Sequence, residues 1–147
     1  MRGRVGKACA NRGPRSPSKG LTLIELLIAL AVITILAAIA IPSYFRHVEK
    51  SGRAEAKSTL LALAGRMEHY FADSRSYEGA SVAGLLGSDK TEHGGYTLSI
   101  QSVGVDSYTI IAQPDGRQAG DACGSFTLSS TGAKGVEGGK LPISKCW

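Results

Sequence analysis

The sequence predicts an α+β fold, in which one long N-terminal helix packs on a small antiparallel β-sheet. Residues 21–41 form an apolar run that contains no Gly or Pro and a single charged residue. At about 1.5 Å per residue this run makes a helix roughly 31 Å long, which matches the roughly 30 Å hydrocarbon core of a bilayer. Beyond it, apolar residues recur first at helical spacing, up to Phe71, and then at every second position from Tyr96. We therefore expect the first half of the helix to span a membrane and the second half to pack on the sheet.

The positive charge of the chain is concentrated in residues 1–20. This segment holds six of the 17 Lys and Arg residues and no acid, so the rest of the chain has 11 basic and 12 acidic residues and is close to neutral. The charge therefore does not indicate a nucleic-acid partner. A basic leader before an apolar helix predicts a cytoplasmic N-terminus and an exported C-terminal part. The basic residues of the leader are Arg2, Arg4, Lys7, Arg12, Arg15 and Lys19.

The single charge in the apolar run is Glu25. A carboxylate inside a membrane helix costs about 2.5 kcal/mol or more unless it is paired or protonated. Cleavage between Gly20 and Leu21 creates an α-amino group about one helical turn before Glu25, and this group, or that of a neighbouring subunit, supplies the compensating charge. We therefore expect Glu25 to act in assembly rather than in membrane insertion.

The residues around this point carry a family resemblance. KGLTLIELL at 19–27 resembles the class III signal of type IV pilins and type II secretion pseudopilins, and PSY at 42–44 stands where that family has a helix-kinking proline. The resemblance implies cleavage after Gly20, N-methylation of Leu21 by the prepilin peptidase, and a kink at Pro42. Leu21 departs from the Phe that the family usually has at the first mature position.

A competing signal lies at the other end of the run. Ala38-Ile39-Ala40 fits the A-x-A site of an ordinary secretory signal peptidase. Against it, the apolar run is longer than the usual length of such signals, about 7 to 15 residues, and cleavage after Ala40 leaves Glu25 unexplained. The sequence therefore favours cleavage after Gly20.

Two of the three cysteines remain after removal of the leader, which contains Cys9. Cys123 and Cys146 lie in the exported part, where an oxidising compartment makes a disulfide the default. Closing this loop stabilises the fold by roughly 3 kcal/mol in the chain-entropy model. The alternatives are two free thiols or a metal site, and no histidine lies near either cysteine in sequence.

Within the head, a helix is predicted over 53–72, with a core-facing stripe and a solvated Arg53-Ala-Glu55-Ala-Lys57 segment. Residues 73–93 are predicted to form a connector, anchored on the core by Tyr77 and Leu85-Leu86. The sheet and disulfide region follows over 94–147, with strands at 96–100, 108–112 and 126–128 before a Gly-rich tail. The predicted stripe consists of Leu60, Leu63, Ala64, Met67, Tyr70 and Phe71.

The head carries a second, shorter resemblance. DACGSFTLSSTGAKG at 121–135, with the terminal Cys146-Trp147, resembles the C-terminal region of PilE-like minor pilins, as does RAEAK at 53–57 with Tyr70 and Tyr77 downstream. The two resemblances together imply a type IV pilin fold with a disulfide-closed C-terminal loop.

No pattern of catalytic residues is present in the sequence. His47, His69 and His93 are scattered, and no phosphate-binding or nucleophile motif occurs. Asp115 and Asp121 lie in one loop and are candidate calcium ligands, but they lack an EF-hand pattern. We expect no enzyme activity, no cofactor and no metal.

These observations predict three regions: a cleaved leader at 1–20, a transmembrane and filament-core helix at 21–52, and a globular head at 53–147. The expected function is a structural subunit of a type IV pilus, minor by the head resemblance, that serves motility, adhesion or DNA uptake. Its expected partners are other pilin subunits, the prepilin peptidase and the inner-membrane assembly machinery. A type II secretion pseudopilin is the alternative, and a membrane-tethered binding module or enzyme is a third possibility. The expected location is the inner membrane, with a periplasmic head, and then the extracellular pilus.

Overall fold

The structure, a computed structural model, describes residues 20–147. The leader predicted over 1–20 therefore lies outside the described residues, except for Gly20. The chain divides into two compact units, the second of which is Ala40–Trp147.

One helix, α1 (Leu23–Ser74), accounts for the predicted transmembrane segment and the predicted head helix together. It passes through Pro42 and through Ser51-Gly52 without ending, as the sequence predicts for the proline. Whether the proline also kinks the helix stays a prediction. Before Pro42 the large apolar side chains are exposed, with Leu23 at 77% and Ile39 at 72%. By length and composition this part of α1 fits a membrane span.

The second half of α1 provides one wall of the hydrophobic core. Ala56, Leu60, Leu63 and Met67 are completely buried, at successive spacings of four, three and four residues. These spacings place all four side chains on one face of the helix. The predicted core stripe is confirmed at Leu60, Leu63 and Met67, while Ala64 and Phe71 pack partly against the core. The prediction was wrong at Tyr70, which lies outside the core and donates its hydroxyl hydrogen to the Glu78 carbonyl.

The connector folds back onto the core as predicted, but it also contains a short helix. Tyr77 is buried, and its ring stacks on Phe71 with the centroids 4.7 Å apart. The additional helix is α2 (Val82–Leu86), and the Ser81 hydroxyl caps it by accepting a hydrogen bond from the Gly84 amide. A five-residue helix is too short for apolar periodicity to reveal it.

The sheet is antiparallel, with four strands in the order β1-β2-β3-β4. Its inner face completes the core with Tyr96, Leu98, Ile110, Phe126 and Leu128. The strands are β1 (Tyr96–Val103), β2 (Tyr108–Pro114), β3 (Gly124–Ser129) and β4 (Lys134–Gly138), with a 3-10 turn at Gly116–Gln118 and a final helix α3 (Ile143–Cys146).

The Gly-rich tail differs most from the sequence prediction. It contains β4, which pairs with β3 from Gly124↔Gly138 to Leu128↔Lys134. Glycine is depleted in strands, so the tail has little strand propensity of its own. The strand forms because β3 offers an unpaired edge and because Gly135 leaves room for Thr127: a side chain there would meet the Thr127 hydroxyl.

Candidate functional site

The N-terminal segment places Gly20 and Leu21 before the first turn of α1, which begins at Leu23. Thr22 and Glu25 form a reciprocal cap at this point. The Glu25 amide donates to the Thr22 hydroxyl over 3.3 Å, and the Thr22 amide donates to the Glu25 carboxylate over a longer 3.5 Å. This is the capping-box arrangement of a Thr followed three residues later by a Glu.

The capping box is a role of Glu25 that the sequence reasoning missed. The pattern Thr22-x-x-Glu25 is visible in the sequence and could have revealed it. It means that the carboxylate has a partner in its own backbone, in addition to the charge pairing that we expect in assembly. The two roles require different properties: capping needs an acceptor atom, whereas pairing with an ammonium group needs a negative charge.

Within the unit Ala40–Trp147, Asp121 connects three separate elements. Its carboxylate accepts hydrogen bonds from Arg53 of α1, with Nη2 at 2.6 Å and Nε at 2.9 Å, and from the hydroxyl of Tyr96 at the start of β1. It also accepts from the Cys123 amide at 2.8 Å. The Asp121 side chain is fully covered, so helix, sheet and disulfide loop meet at one buried carboxylate.

The electrostatics of this cluster favour the charged carboxylate. Burial raises the pKa of Asp121, but the hydrogen bonds from Arg53, Tyr96 and the Cys123 amide, together with the Arg53 charge, lower it to a net value below the usual range. The hydrogen bond to Asp121 raises the pKa of Arg53. Burial, and then the hydrogen bond to Asp121, raises the pKa of Tyr96 well above its ordinary value. The cluster is therefore an ion pair with a neutral phenol beside it.

The C-terminal loop is closed by the predicted disulfide between Cys123 and Cys146, whose Cα atoms lie 5.7 Å apart. Two further contacts hold the terminus in place. Lys57 Nζ donates to the Cys146 carbonyl over 2.9 Å, and the Trp147 indole N–H donates to the Gly135 carbonyl over 2.7 Å. The last residues are thus tied both to α1 and to β4.

The prediction of a solvated face over residues 53–57 was wrong. Arg53 reaches Asp121, Lys57 reaches Cys146, and Glu55 accepts the His93 amide at 2.8 Å. All three side chains lie near the buried Ala56 on α1, and from there long polar side chains can reach loops that cover the helix. The helical pattern distinguishes core from non-core positions, but it cannot distinguish a solvated position from one covered by a distant loop.

The structure gives Asp115 and Asp121 other roles than calcium ligands. Asp121 is bonded to Arg53, and Asp115 accepts from Lys90 Nζ at 3.1 Å and caps the 3-10 turn through the Gly116 amide. In residues 20–147 no three His, Cys, Asp or Glu side chains are grouped so that they could hold a metal ion. Among the histidines, His93 lies 3.2 Å from Glu55 on an exposed loop.

Two family models together match residues 15–127 of this chain. The model of the prokaryotic N-terminal methylation motif matches residues 15–41. The family model described as "Type IV minor pilin ComP, DNA uptake sequence receptor" matches residues 42–127.

Curated relatives agree with these matches over most of the chain. The "Fimbrial protein EcpC" of Eikenella corrodens is 33% identical over 126 residues, which cover 85% of this chain and 72% of that protein. The "Type IV wide pilus major component PilA4" of Thermus thermophilus is 33% identical over 119 residues, which cover 81% of this chain and 86% of that protein. The chain belongs to the type IV pilin family.

Solved structures share the fold. The non-core minor pilin PilV of Neisseria meningitidis superposes with a TM-score of 0.55 and 22% identity, over 65% of this chain and 93% of that structure. A type IV pilin from Shewanella oneidensis gives a TM-score of 0.50 and 22% identity, over 67% and 97%. The predicted α+β pilin fold is therefore confirmed.

The Asp121 cluster predicts a loss of stability in acid. Because the pKa of Asp121 is lower in the folded head than its unfolded value of about 3.9, the carboxylate contributes fully to the free energy of unfolding above that value. This contribution is lost as pH falls through the folded pKa.

The substitution Asp121→Ala leaves Arg53 partly buried without its partner, and we expect it to lower the free energy of unfolding at pH 7 by about 3 kcal/mol. Denaturant unfolding followed by Trp147 fluorescence measures this.

Glu49→Ala is the matched control, because Glu49 touches Arg53 only at 4.0 Å and is 53% exposed. We expect Glu49→Ala to lower the free energy of unfolding by less than about 1 kcal/mol. Equal stability of the Asp121→Ala protein and the parent chain at pH 7 would show that the cluster does not hold the head together.

Proposed function

We propose that this pilin is made as a precursor, cut after Gly20, N-methylated at Leu21 and assembled through residues 21–41 into a type IV pilus. The observation that carries the proposal is the apolar first part of α1, whose large side chains are exposed over the described residues before Pro42. The match of residues 15–41 to the methylation motif supports processing at this position. In water such a surface is unfavourable, so lipid or the helices of other subunits must cover it.

The proposed location changes during assembly. Before assembly the pilin is a single-pass inner-membrane protein, with the N-terminus in the cytoplasm and the head, which begins near residue 53, in the periplasm. The basic leader supports this orientation. The prepilin peptidase and the inner-membrane assembly machinery act on this form, and other pilin subunits surround the protein in the extracellular pilus. A kink at Pro42 belongs to the same proposal.

We place the protein among the minor subunits. The description of the matched family and the PilV fold neighbour support this placement, although a relative of similar identity is a major component. The disulfide between Cys123 and Cys146 favours a pilus subunit over a type II secretion pseudopilin, because a disulfide-bounded terminal loop is the pilin pattern. The pilus would serve motility, adhesion or DNA uptake, and the described residues contain no group of side chains that could hold a catalytic metal ion.

Glu25 is the proposed assembly residue, and its two roles can be separated by substitution. Gln is also a capping-box residue, so Glu25→Gln keeps the backbone cap and removes only the charge. Thr22→Ala removes the hydroxyl of the cap and keeps the charge, at a cost of about 1 kcal/mol in local helix stability. If assembly depends on a charge pair with the amino group of Leu21, the two variants must behave differently.

We expect Glu25→Gln and Glu25→Ala to reduce incorporation into pili at least tenfold, and Thr22→Ala to incorporate almost normally. Both Glu25 variants remain in the membrane at normal or higher level, because the helix becomes more hydrophobic. Immunoblots of sheared pili and of membranes measure incorporation. Intact masses must first show a chain that starts at N-methylated Leu21, which separates processing from assembly. Normal incorporation of Glu25→Gln would remove the charge pair from the account.

DNA binding is a second candidate function, because the matched family description names a DNA uptake sequence receptor. The chain after Gly20 is nearly neutral, but its C-terminal region is not. Lys134, Lys140 and Lys145 are exposed there, while Glu137 is the single acidic side chain after Asp121. A local group of lysines attracts phosphates even where the net charge does not.

If this region binds DNA, replacing the three lysines by Gln lowers affinity at least tenfold and reduces the salt dependence of binding. The assay is a mobility shift with the processed full-length protein in detergent at two salt concentrations. Gln at Arg66 and Arg75, two basic residues of α1 and its end, is the control. Equal binding by both variants would reject the C-terminal region as the DNA site.

A further inference from the structure

A glutamine side chain from outside α1 lies directly against the backbone of this helix. Gln118 ends the 3-10 turn Gly116–Gln118 and is only 5% exposed. Its side-chain Nε2 donates a hydrogen bond over 3.3 Å to the Val48 carbonyl of α1. In an α-helix that carbonyl also accepts from the amide four residues later, which belongs to Gly52. Gln118 therefore binds α1 within the single turn from Val48 to Gly52.

The close approach of Gln118 requires a glycine at position 52. A Cβ atom built at Gly52 would overlap Nε2 of Gln118 and would lie 2.9 Å from its Cδ. Glycine in a helix interior is unfavourable relative to alanine, so the stability of α1 does not explain Gly52. A second glycine, Gly95, leaves similar room, because a Cβ atom there would lie 3.0 Å from Cγ of Gln118. We call Gln118, Gly52 and Val48 the glutamine clamp.

The turn that carries Gln118 is itself fixed to the sheet. The Asp115 amide, directly after β2, donates over 2.9 Å to the carbonyl of Gly95, directly before β1. The Asp115 carboxylate accepts from the Gly116 amide at 2.7 Å, and the Gln118 amide donates to the Asp115 carbonyl over 2.9 Å. The side chain of Gln118 is thus held at a defined place between the sheet and α1.

The segment of α1 before Gly52 has few other contacts with the rest of the unit Ala40–Trp147. The buried residues of α1 begin at Ala56. In the described chain, the bond to Val48 is the one hydrogen bond before Gly52 that joins α1 to another element, and the next is made by Arg53. The direction of this segment therefore depends on the glutamine clamp.

A cavity beside the clamp separates the same segment from the loops that face it. Its volume is about 300 Å³, the space of roughly ten water molecules. Helix residues form one wall and loop residues the other: Tyr44, His47, Ser51 and Glu55, and His93, Gly95 and Arg117. Without the clamp, residues 44–51 would have room to move toward these loops.

We propose that Gln118 is a positioning residue for assembly, because it clamps α1 at Gly52 and so fixes the direction of residues 40–51 relative to the sheet. The proposal rests on the proposed pilus function. The hydrogen bond makes this direction specific, since such bonds weaken steeply when the donor angle departs from linear. Apolar packing is not directional and would restrict the segment less.

A small error in this direction matters because the helix beyond the clamp is long. Leu23, the first residue of α1, precedes Gly52 by 29 residues, which is about 44 Å along the helix path at 1.5 Å per residue. A change in direction of about 10° at Gly52 displaces a point at this distance by about 8 Å. The axes of packed helices lie about 8–10 Å apart, so such an error equals almost a whole helix position.

A double-mutant cycle tests the clamp in the processed full-length protein. Gly52→Ala is expected to lower Tm, although alanine favours a helix, because the new methyl group displaces Gln118. In a Gln118→Ala background the same change is expected to raise Tm, because the methyl group then has room. Gly65→Ala is the matched control: a Cβ atom there has no neighbour within 4 Å, so Tm should rise in both backgrounds. A higher Tm for Gly52→Ala in the parent chain would overturn the clamp.

Nitroxide labels report the direction of the segment itself. Arg46→Cys and Glu92→Cys place one label on α1 before Gly52 and the other on the loop beside His93, and both positions are exposed. Cys123 and Cys146 are bonded to each other and do not react. We expect a narrow distribution of label distances in the processed chain, and a distribution at least twice as wide with Gln118→Ala. An unchanged width contradicts the positioning role.

Incorporation into sheared pili separates positioning from stability. The double variant of Gly52→Ala and Gln118→Ala is expected to regain a Tm near that of the parent chain. Its incorporation should stay at least fivefold lower, because it has no clamp, while Gly65→Ala incorporates normally. Intact masses must first show a chain that starts at N-methylated Leu21.

If Gln118 only packs against α1, incorporation recovers together with Tm in the double variant. That result overturns the proposal and leaves the pilus function standing. Absence of the parent chain from sheared pili overturns the pilus function instead, and the positioning role in assembly with it.

Discussion

The structure depends on one helix that must satisfy two different surroundings. In its second half, α1 buries Leu60, Leu63 and Met67 completely against the sheet. In its first half, Leu23 and Ile39 are more than 70% exposed, and burying a side chain of this size is worth about 1.5–3 kcal/mol. Summed over residues 21–41, this exposed surface is incompatible with water. Lipid and a bundle of similar helices both provide an apolar cover, and a protein that moves from one to the other can change location without refolding.

The proposed move from membrane to pilus requires the sheet and the disulfide loop to stay attached to α1, and a few long-range contacts hold them there. The Arg53–Asp121 pair joins the helix to the start of the disulfide loop, and Lys57 joins it to the carbonyl of Cys146 at the loop's end. Both ends of the C-terminal region are thus fixed to successive turns of the same helix. The disulfide between Cys123 and Cys146 constrains the loop itself, and these polar contacts, together with apolar packing in the core, tie the loop to the helix.

The sequence was sufficient to predict those elements in which a regular spacing of apolar residues indicates the buried face. The helix was predicted from the uninterrupted apolar run and from the core stripe around Leu60. The first hairpin was predicted from the alternation that begins at Tyr96, and the disulfide from the expected export of both cysteines. It was insufficient where a contact with a residue distant in the sequence determines the local structure. The strand β4 forms because β3 presents an edge, and Arg53 is covered because Asp121 arrives from 68 residues away. The cap between Thr22 and Glu25, by contrast, is local and is visible in the sequence as a Thr followed three residues later by a Glu.

The central claim is that residues 21–41 lie in lipid before assembly and among other helices afterwards. A lipid-soluble carbene probe, activated by light and mapped by peptide mass spectrometry, reports which residues contact hydrocarbon. The account predicts strong labelling of residues 21–41 in the membrane form and protection of the same residues in sheared pili, with the head over 53–147 unlabelled in both. Equal labelling of residues 21–41 in the two forms, or the absence of this chain from sheared pili, would contradict it.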